Sequence, residues 1–127
     1  MLCSVLKTKS FQRWAVKSGL TDHALHCAVT EMINGLIDAE LGGGLVKKRI
    51  AVPGKGKRGG ARTLLATNHA DRWVFLFGFE KNERTNVTDK ELAALKLLAG
   101  DLLALNDEQV AETISQGYLV EVSDENC

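Results

Sequence analysis

Apolar residues recur every three or four positions along two stretches near the N-terminus. Phe11, Trp14 and Ala15 share one side of a helix predicted over residues 9–18, behind a short strand over 4–7. Leu25, Ala28, Val29, Met32, Ile33 and Leu36 form the stripe of a second helix, capped by Thr21 or Asp22 and running to about residue 39. Gly19 and Leu20 separate the two, so the pair reads as an αα-hairpin that Gly42-Gly43-Gly44 brings to an end.

The period then changes to two. Val46, Ile50 and Val52 face one side of a strand over 45–52, and Lys47 and Arg49 face the other. Residues 53–60 hold four glycines and three basic residues and read as a loop. Strands follow over 61–67 and 71–79, joined by the turn Asn68-His69-Ala70-Asp71. In the second, Trp73, Phe75, Phe77 and Phe79 alternate with Val74, Leu76 and Gly78. Both faces are apolar, which places this strand in the centre of a sheet.

Helical spacing returns after Thr88-Asp89-Lys90-Glu91, a capping box in which threonine and glutamate each satisfy a backbone donor. That helix runs to about residue 105 through Leu92, Leu95, Leu98, Leu102 and Leu103. Asn106 and Gln109 repeat the signature for a short last helix, Gly117 stops it, and residues 118–122 can add an edge strand. The pattern predicts an α+β fold: an N-terminal helical hairpin packed on a small twisted antiparallel β-sheet, with C-terminal helices. We read residues 1–127 as one domain, with a core over about 4–105 and an acidic C-terminal helix and tail over 106–127.

Composition narrows the class. A chain of 127 residues, 45% hydrophobic and 25% charged, matches a globular protein and not a disordered one. No apolar run approaches the roughly 20 residues of a membrane span. The opening Met1-Leu2-Cys3-Ser4-Val5-Leu6-Lys7 meets a charge too early for a secretory signal, so the expected location is the cytoplasm. Cys3, Cys27 and Cys127, odd in number and without CxxC spacing, argue against a disulfide framework or a cysteine zinc site.

The net charge of zero conceals segregation. Residues 45–66 carry seven basic side chains and no acidic one, while residues 88–127 carry two basic and nine acidic ones. If the strands over 45–52 and 61–67 pair, Lys47, Lys48, Arg49, Lys55, Lys57, Arg58 and Arg62 gather on one rim. Such a rim suits a polyanion; a solvated strand edge that discourages aggregation has the same composition. Gly54-Lys55-Gly56-Lys57-Arg58-Gly59-Gly60 lacks the Gly-Lys-Ser/Thr of a phosphate-binding loop and precedes a strand, not a helix, so no nucleotide cofactor is expected. His23 and His26 lie three apart on a helix, with Cys27 alongside, but no third metal ligand is evident. His69 reads as an exposed turn residue, and Trp14 and Trp73 as core.

Several segments together resemble the RelE/ParE superfamily of bacterial toxins, in particular its HigB-like branch. They are residues 7–15, 35–44, Lys47-Lys48-Arg49-Ile50-Ala51, residues 54–60 continuing into Ala61-Arg62-Thr63-Leu64, and Phe77-Gly78-Phe79-Glu80-Lys81-Asn82-Glu83-Arg84. The resemblance covers about residues 7–96. It implies the toxin of a type II toxin–antitoxin pair that cuts mRNA in the ribosomal decoding site, without a metal or cofactor. In that chemistry the ribose 2′-OH attacks the adjacent phosphorus, leaving a 2′,3′-cyclic phosphate and a free 5′-OH. The implied partners are the ribosome, its mRNA, and a cognate antitoxin with a helix-turn-helix domain.

Carried over by motif, Arg62 is the expected phosphate-stabilising group, because a planar guanidinium can hold two phosphate oxygens. Lys55 or Lys57 is the expected general base, its pKa depressed by neighbouring cations. Lys81 is expected to assist the leaving group or only to grip rRNA, and Lys47, Lys48, Arg49, Arg58 and Arg84 to grip RNA. Where the resemblance implies a tyrosine before the arginine this chain has Ala61, and Asn82 replaces an arginine. Thr88 stands where a base-stacking tyrosine is expected, and Tyr118 replaces it only if the tail folds back over the rim. Two other roles fit the same superfamily: a ParE-like gyrase inhibitor that cuts nothing, and an inert module that modulates its antitoxin.

Overall fold

The computed structural model describes residues 4–52 and 56–123, with backbone alone over 56–59. The elements are β1 (Ser4–Thr8), α1 (Lys9–Ser18), α2 (Asp22–Ile33), β2 (Ala39–Gly42), β3 (Leu45–Val52), β4 (Gly56–Thr67), β5 (Arg72–Glu80), α3 (Asp89–Ala104), α4 (Asp107–Ser115) and β6 (Leu119–Glu121). The fold is α+β, as the periodicity predicts, with one six-stranded sheet in the order β2-β3-β4-β5-β1-β6.

Local chemistry sets the helix starts. Thr8, Thr21, Thr88 and Asn106 each accept a hydrogen bond from a backbone N–H of the first turn, and α3 and α4 both carry full capping boxes. Gly19 closes α1 at φ 79°, a conformation that glycine adopts without steric cost. The helix expected to reach residue 39 instead ends at Ile33. Gly35 follows at φ 93°, Leu36 is exposed, and Ala39 to Gly42 alternate half-buried with exposed, the period of an edge strand. The expected loop over 53–60 is shorter too, because β4 begins at Gly56, which pairs with Val52. Asn68 organises the β4–β5 turn: its side-chain oxygen accepts from the N–H groups of Ala70, Asp71 and Arg72.

The sheet is mixed and not wholly antiparallel. β1 lies parallel to β5, while its other neighbour β6 and all remaining pairs are antiparallel. A strand inserted between two later ones is a long-range event that hydrophobic period does not encode. Cys27 on α2 is disulfide-bonded; Cys3 and Cys127 lie outside the described residues.

Both faces of the sheet are covered. On one, Phe11 and Ala15 of α1 and Leu25, Ala28, Val29 and Met32 of α2 pack on Val46, Ile50, Leu65, Trp73 and Phe75. On the other, Leu95 and Ala99 of α3 and Val110 of α4 pack on Leu45, Leu64, Ala66, Val74 and Leu76. Arg72 ties the second layer down: its guanidinium donates to the carbonyls of Leu102 (3.1 Å) and Leu105 (2.6 Å), which lie at the end of α3.

One irregularity redirects the central strand. The β4–β5 register shifts between Leu64 and Leu65, whose partners are Phe77 and Phe75, so β5 carries one extra residue at Leu76. Trp73 and Phe75 therefore join the α1–α2 core, while Leu76, Phe77 and Phe79 join the α3–α4 side. The strict alternation read from sequence placed all four aromatic residues on one face. Gly78 then meets the α1 side, where a Cβ would sit 2.2 Å from the Trp14 ring.

Candidate nucleic-acid interface

Pairing of β3 with β4 and of β4 with β5 assembles the candidate site. Arg49 is the direct cross-strand partner of Arg62, and Arg62 is in turn the partner of Phe79. Directly paired residues share a sheet face. Lys47, two residues before Arg49, shares it too and pairs with Leu64, whose next neighbour is Phe77. The face is the α3–α4 side. The helices there pack on Leu45, Leu64 and Ala66, towards the opposite ends of β3 and β4 from Arg49 and Arg62.

Arg49 is exposed and Arg62 half-buried. Arg62 donates to the carbonyl of Gly60 at 3.3 Å, which orients its guanidinium without neutralising it. Among the described residues, no carboxylate pairs with either arginine side chain. Two like charges opposite each other across a strand pair cost stability. With neither side chain paired to a carboxylate among the described residues, the two guanidinium groups present positive charge on this face.

The segment behind β5 closes the lower rim. Arg84 lies over the rings of Phe77 (5.5 Å to the centroid) and Phe79 (5.9 Å). Its guanidinium also contacts Glu91 Oε1 at 2.5 Å. The same oxygen accepts from the Thr88 backbone N–H at 2.8 Å as half of the α3 capping box. The hydrogen bond from Thr88, with help from Arg84, holds the Glu91 carboxyl below its ordinary range. Lys47 Nζ reaches Asn86 Oδ1 at 3.3 Å, joining β3 to this segment.

The predicted residues divide accordingly. Lys47, Arg49, Arg62 and Arg84 come together. Lys48 does not: alternation turns it to the other face, where it is 5% exposed, 2.8 Å from Glu31 Oε1 and 2.8 Å from the Leu36 carbonyl. It joins α2 to the sheet and is no RNA clamp. Lys81 is exposed in the turn that follows β5. Lys55 lies outside the described residues, as do the side chains of Lys57 and Arg58 on the first part of β4. Tyr118 is exposed at the start of β6, three strands from β4, so the described tail does not return to the rim. His69 is exposed in the β4–β5 turn, as its sequence context predicts, and its Nε2 lies 2.9 Å from Glu40 Oε1. Thr88 caps α3, as its sequence context predicts.

Sequence reasoning missed Phe77 and Phe79 as the rings beneath Arg84. The signal was present only as a contradiction, since four aromatic residues on one face of a central strand exceed what two helices can cover. On the α2 side, residues including Ala24, Glu31, Leu36 and Ile50 line an open cleft of about 530 Å³, with Lys48 on its wall.

The described residues thus set Lys47, Arg49, Arg62 and Arg84 on one face of a small α+β fold. A family model, that of the RelE toxin of the RelE / RelB toxin-antitoxin system, matches residues 3–122, and the chain belongs to this family. It is therefore a toxin of a toxin–antitoxin system, and membership implies an antitoxin partner. No curated protein matches the chain. Among the described residues, no helix is long and apolar enough to cross a membrane.

Proposed function

We propose that this toxin is a ribosome-dependent, metal-independent mRNA endoribonuclease of the HigB-like branch, acting in the cytoplasm as a single domain over residues 1–127. The observation that carries the proposal is the in-register pair Arg49–Arg62, two uncompensated guanidinium groups on one open face. When a ribose 2′-OH attacks the neighbouring phosphorus, negative charge builds on the non-bridging oxygens. A preorganised guanidinium beside them lowers the barrier, because it meets that charge without reorganising. Arg62, oriented by the Gly60 carbonyl, has this role, and Arg49 shares the phosphate.

The 2′-OH proton goes to Lys55 or Lys57, the two lysines that precede Arg62 in the glycine-rich segment. Lys81 returns a proton to the departing 5′ oxygen. Lys47 and Arg58 hold the flanking backbone of mRNA or rRNA. The antitoxin, a helix-turn-helix protein, inhibits the toxin either by covering the basic rim or by docking elsewhere and hindering ribosome entry.

The test maps mRNA 5′ ends in a reconstituted translation reaction, with and without ribosomes, for wild type and Arg62→Ala. New ends within codons, dependent on ribosomes and absent with the variant, support the proposal. An intact message under wild-type toxin overturns it.

A further inference from the structure

Position 88, where a stacking aromatic is expected, is committed to capping α3, so a base entering this face needs another plane to lie on. The geometry points to Arg84 as that plane: its guanidinium, backed by Phe77 and Phe79 and held at its edge by Glu91, is a stacking platform for a nucleobase of the bound RNA. The inference rests on the endoribonuclease reading and assigns one residue's part in it.

Three observations support the assignment. First, the rings of Phe77 and Phe79 lie 5.5 and 5.9 Å from the guanidinium carbon, so one side of the cation rests on an apolar floor. Second, the carboxylate of Glu91 contacts a terminal nitrogen, Nη1, at 2.5 Å. A carboxylate bonds a guanidinium in the plane of its N–H groups, so this contact restrains the group at its edge and does not cover the face opposite the two rings. Third, the Arg84 side chain is 38% exposed, so part of it remains open to solvent. Nucleobases stack on guanidinium planes as they do on aromatic rings.

The Phe77–Phe79 floor exists because of the register shift at Leu76, which also brings Phe79 into register with Arg62. The platform and the phosphate site are therefore neighbours on one face. Glu91 is a positioning residue, since it acts through Arg84 and touches no part of the RNA.

A charge contact and a stacking contact respond differently to lysine, which keeps the charge and loses the plane. The experiment measures single-turnover, ribosome-dependent cutting of mRNAs that carry either an intact codon or the same codon with one abasic residue next to the scissile phosphate. Wild type loses roughly five- to a hundredfold on the abasic message, the size of one stacking contact. Arg84→Lys cuts the intact codon more slowly and loses less than about twofold further on the abasic one. Arg84→Tyr, which restores a flat surface without charge, regains the abasic penalty. Equal penalties for wild type and Arg84→Lys overturn the platform while leaving the ribonuclease intact. Failure of wild type to cut the intact codon overturns the ribonuclease and the platform together. Far-ultraviolet circular dichroism of each variant shows that the fold is retained.

Discussion

Arg49 and Arg62 face each other across β3 and β4, in register and on the same side of the sheet. Folding brings these like charges together, and among the described residues no carboxylate pairs with either side chain, the nearby Asp38 accepting from the Arg49 backbone N–H at 2.6 Å. Arg62→Ala is therefore expected to separate function from stability. Ribosome-dependent cutting falls by about a hundredfold or more, the usual cost of losing a charge-stabilising donor. Stability in denaturant stays level or rises by about 0.2–1 kcal/mol at low salt, because a cross-strand repulsion is removed. A marked loss of stability would mean that Arg62 serves the fold instead of the site.

Lys47 and Lys48 are adjacent but lie on opposite faces, so their alanine variants are expected to differ in kind. Lys47→Ala weakens ribosome binding and lowers the slope of log affinity against log salt by about one. Lys48→Ala leaves that slope unchanged. It costs about 1–3 kcal/mol of stability, because the Leu36 carbonyl and Glu31 lose a buried, charged donor. Salt titrations of ribosome binding, paired with urea unfolding, distinguish the two.

Much of this fold is legible in the sequence because it is local. The caps at Thr21, Thr88 and Asn106, the apolar stripe of α2 and the Asn68 turn depend on neighbours a few residues away. The placement of β1 beside β5 joins residues nearly seventy positions apart, such as Ser4 and Arg72, and has no periodic signature. The site is harder still. Spacing gathers Lys47, Arg49 and Arg62, but one extra residue in β5 decides which face Phe77 and Phe79 occupy. A period-two pattern is unchanged in appearance by a bulge, so sequence predicts four stacked aromatics where the structure divides them into pairs. Alternation already sets Lys48 on the face opposite Lys47 and Arg49, but its partners Glu31 and Leu36 come from a distant segment and leave no mark in the basic run.

Gly78 makes room for Trp14. With a Cβ at 78 only 2.2 Å from the indole, Gly78→Ala forces the ring or the strand to move. Overpacking of this kind is expected to cost about 1–3 kcal/mol. The indole of Trp14, half-buried against the α1–α2 core, reports the movement as a change in near-ultraviolet circular dichroism and fluorescence. Unaltered spectra and stability would show that the close approach is not maintained in solution.

Asp22 joins three distant parts of the chain. Its carboxylate accepts from Lys7 Nζ at 2.5 Å, from the Ser123 backbone N–H at 3.0 Å and from the Ser123 hydroxyl at 3.1 Å. Burial alone would raise this carboxyl, but the hydrogen bonds from Lys7 and Ser123, with the charge on Lys7, outweigh it and hold the pKa below the ordinary 3.8. Above that value the group is ionised in both folded and unfolded chains, and its stabilisation is fully present. As pH falls below 3.8 the unfolded chain takes up the proton first, so the contribution is lost progressively down through the folded-state pKa. Asp22→Asn is accordingly expected to be less stable than wild type at neutral pH, since Lys7, only 7% exposed, keeps its charge without a counter-ion. The difference narrows in acid, because wild type is losing the interaction that the variant never had. Urea unfolding of both proteins from about pH 7 down to about pH 2.5 measures the gap; a gap that stays constant would mean that Asp22 acts through packing and not through its charge.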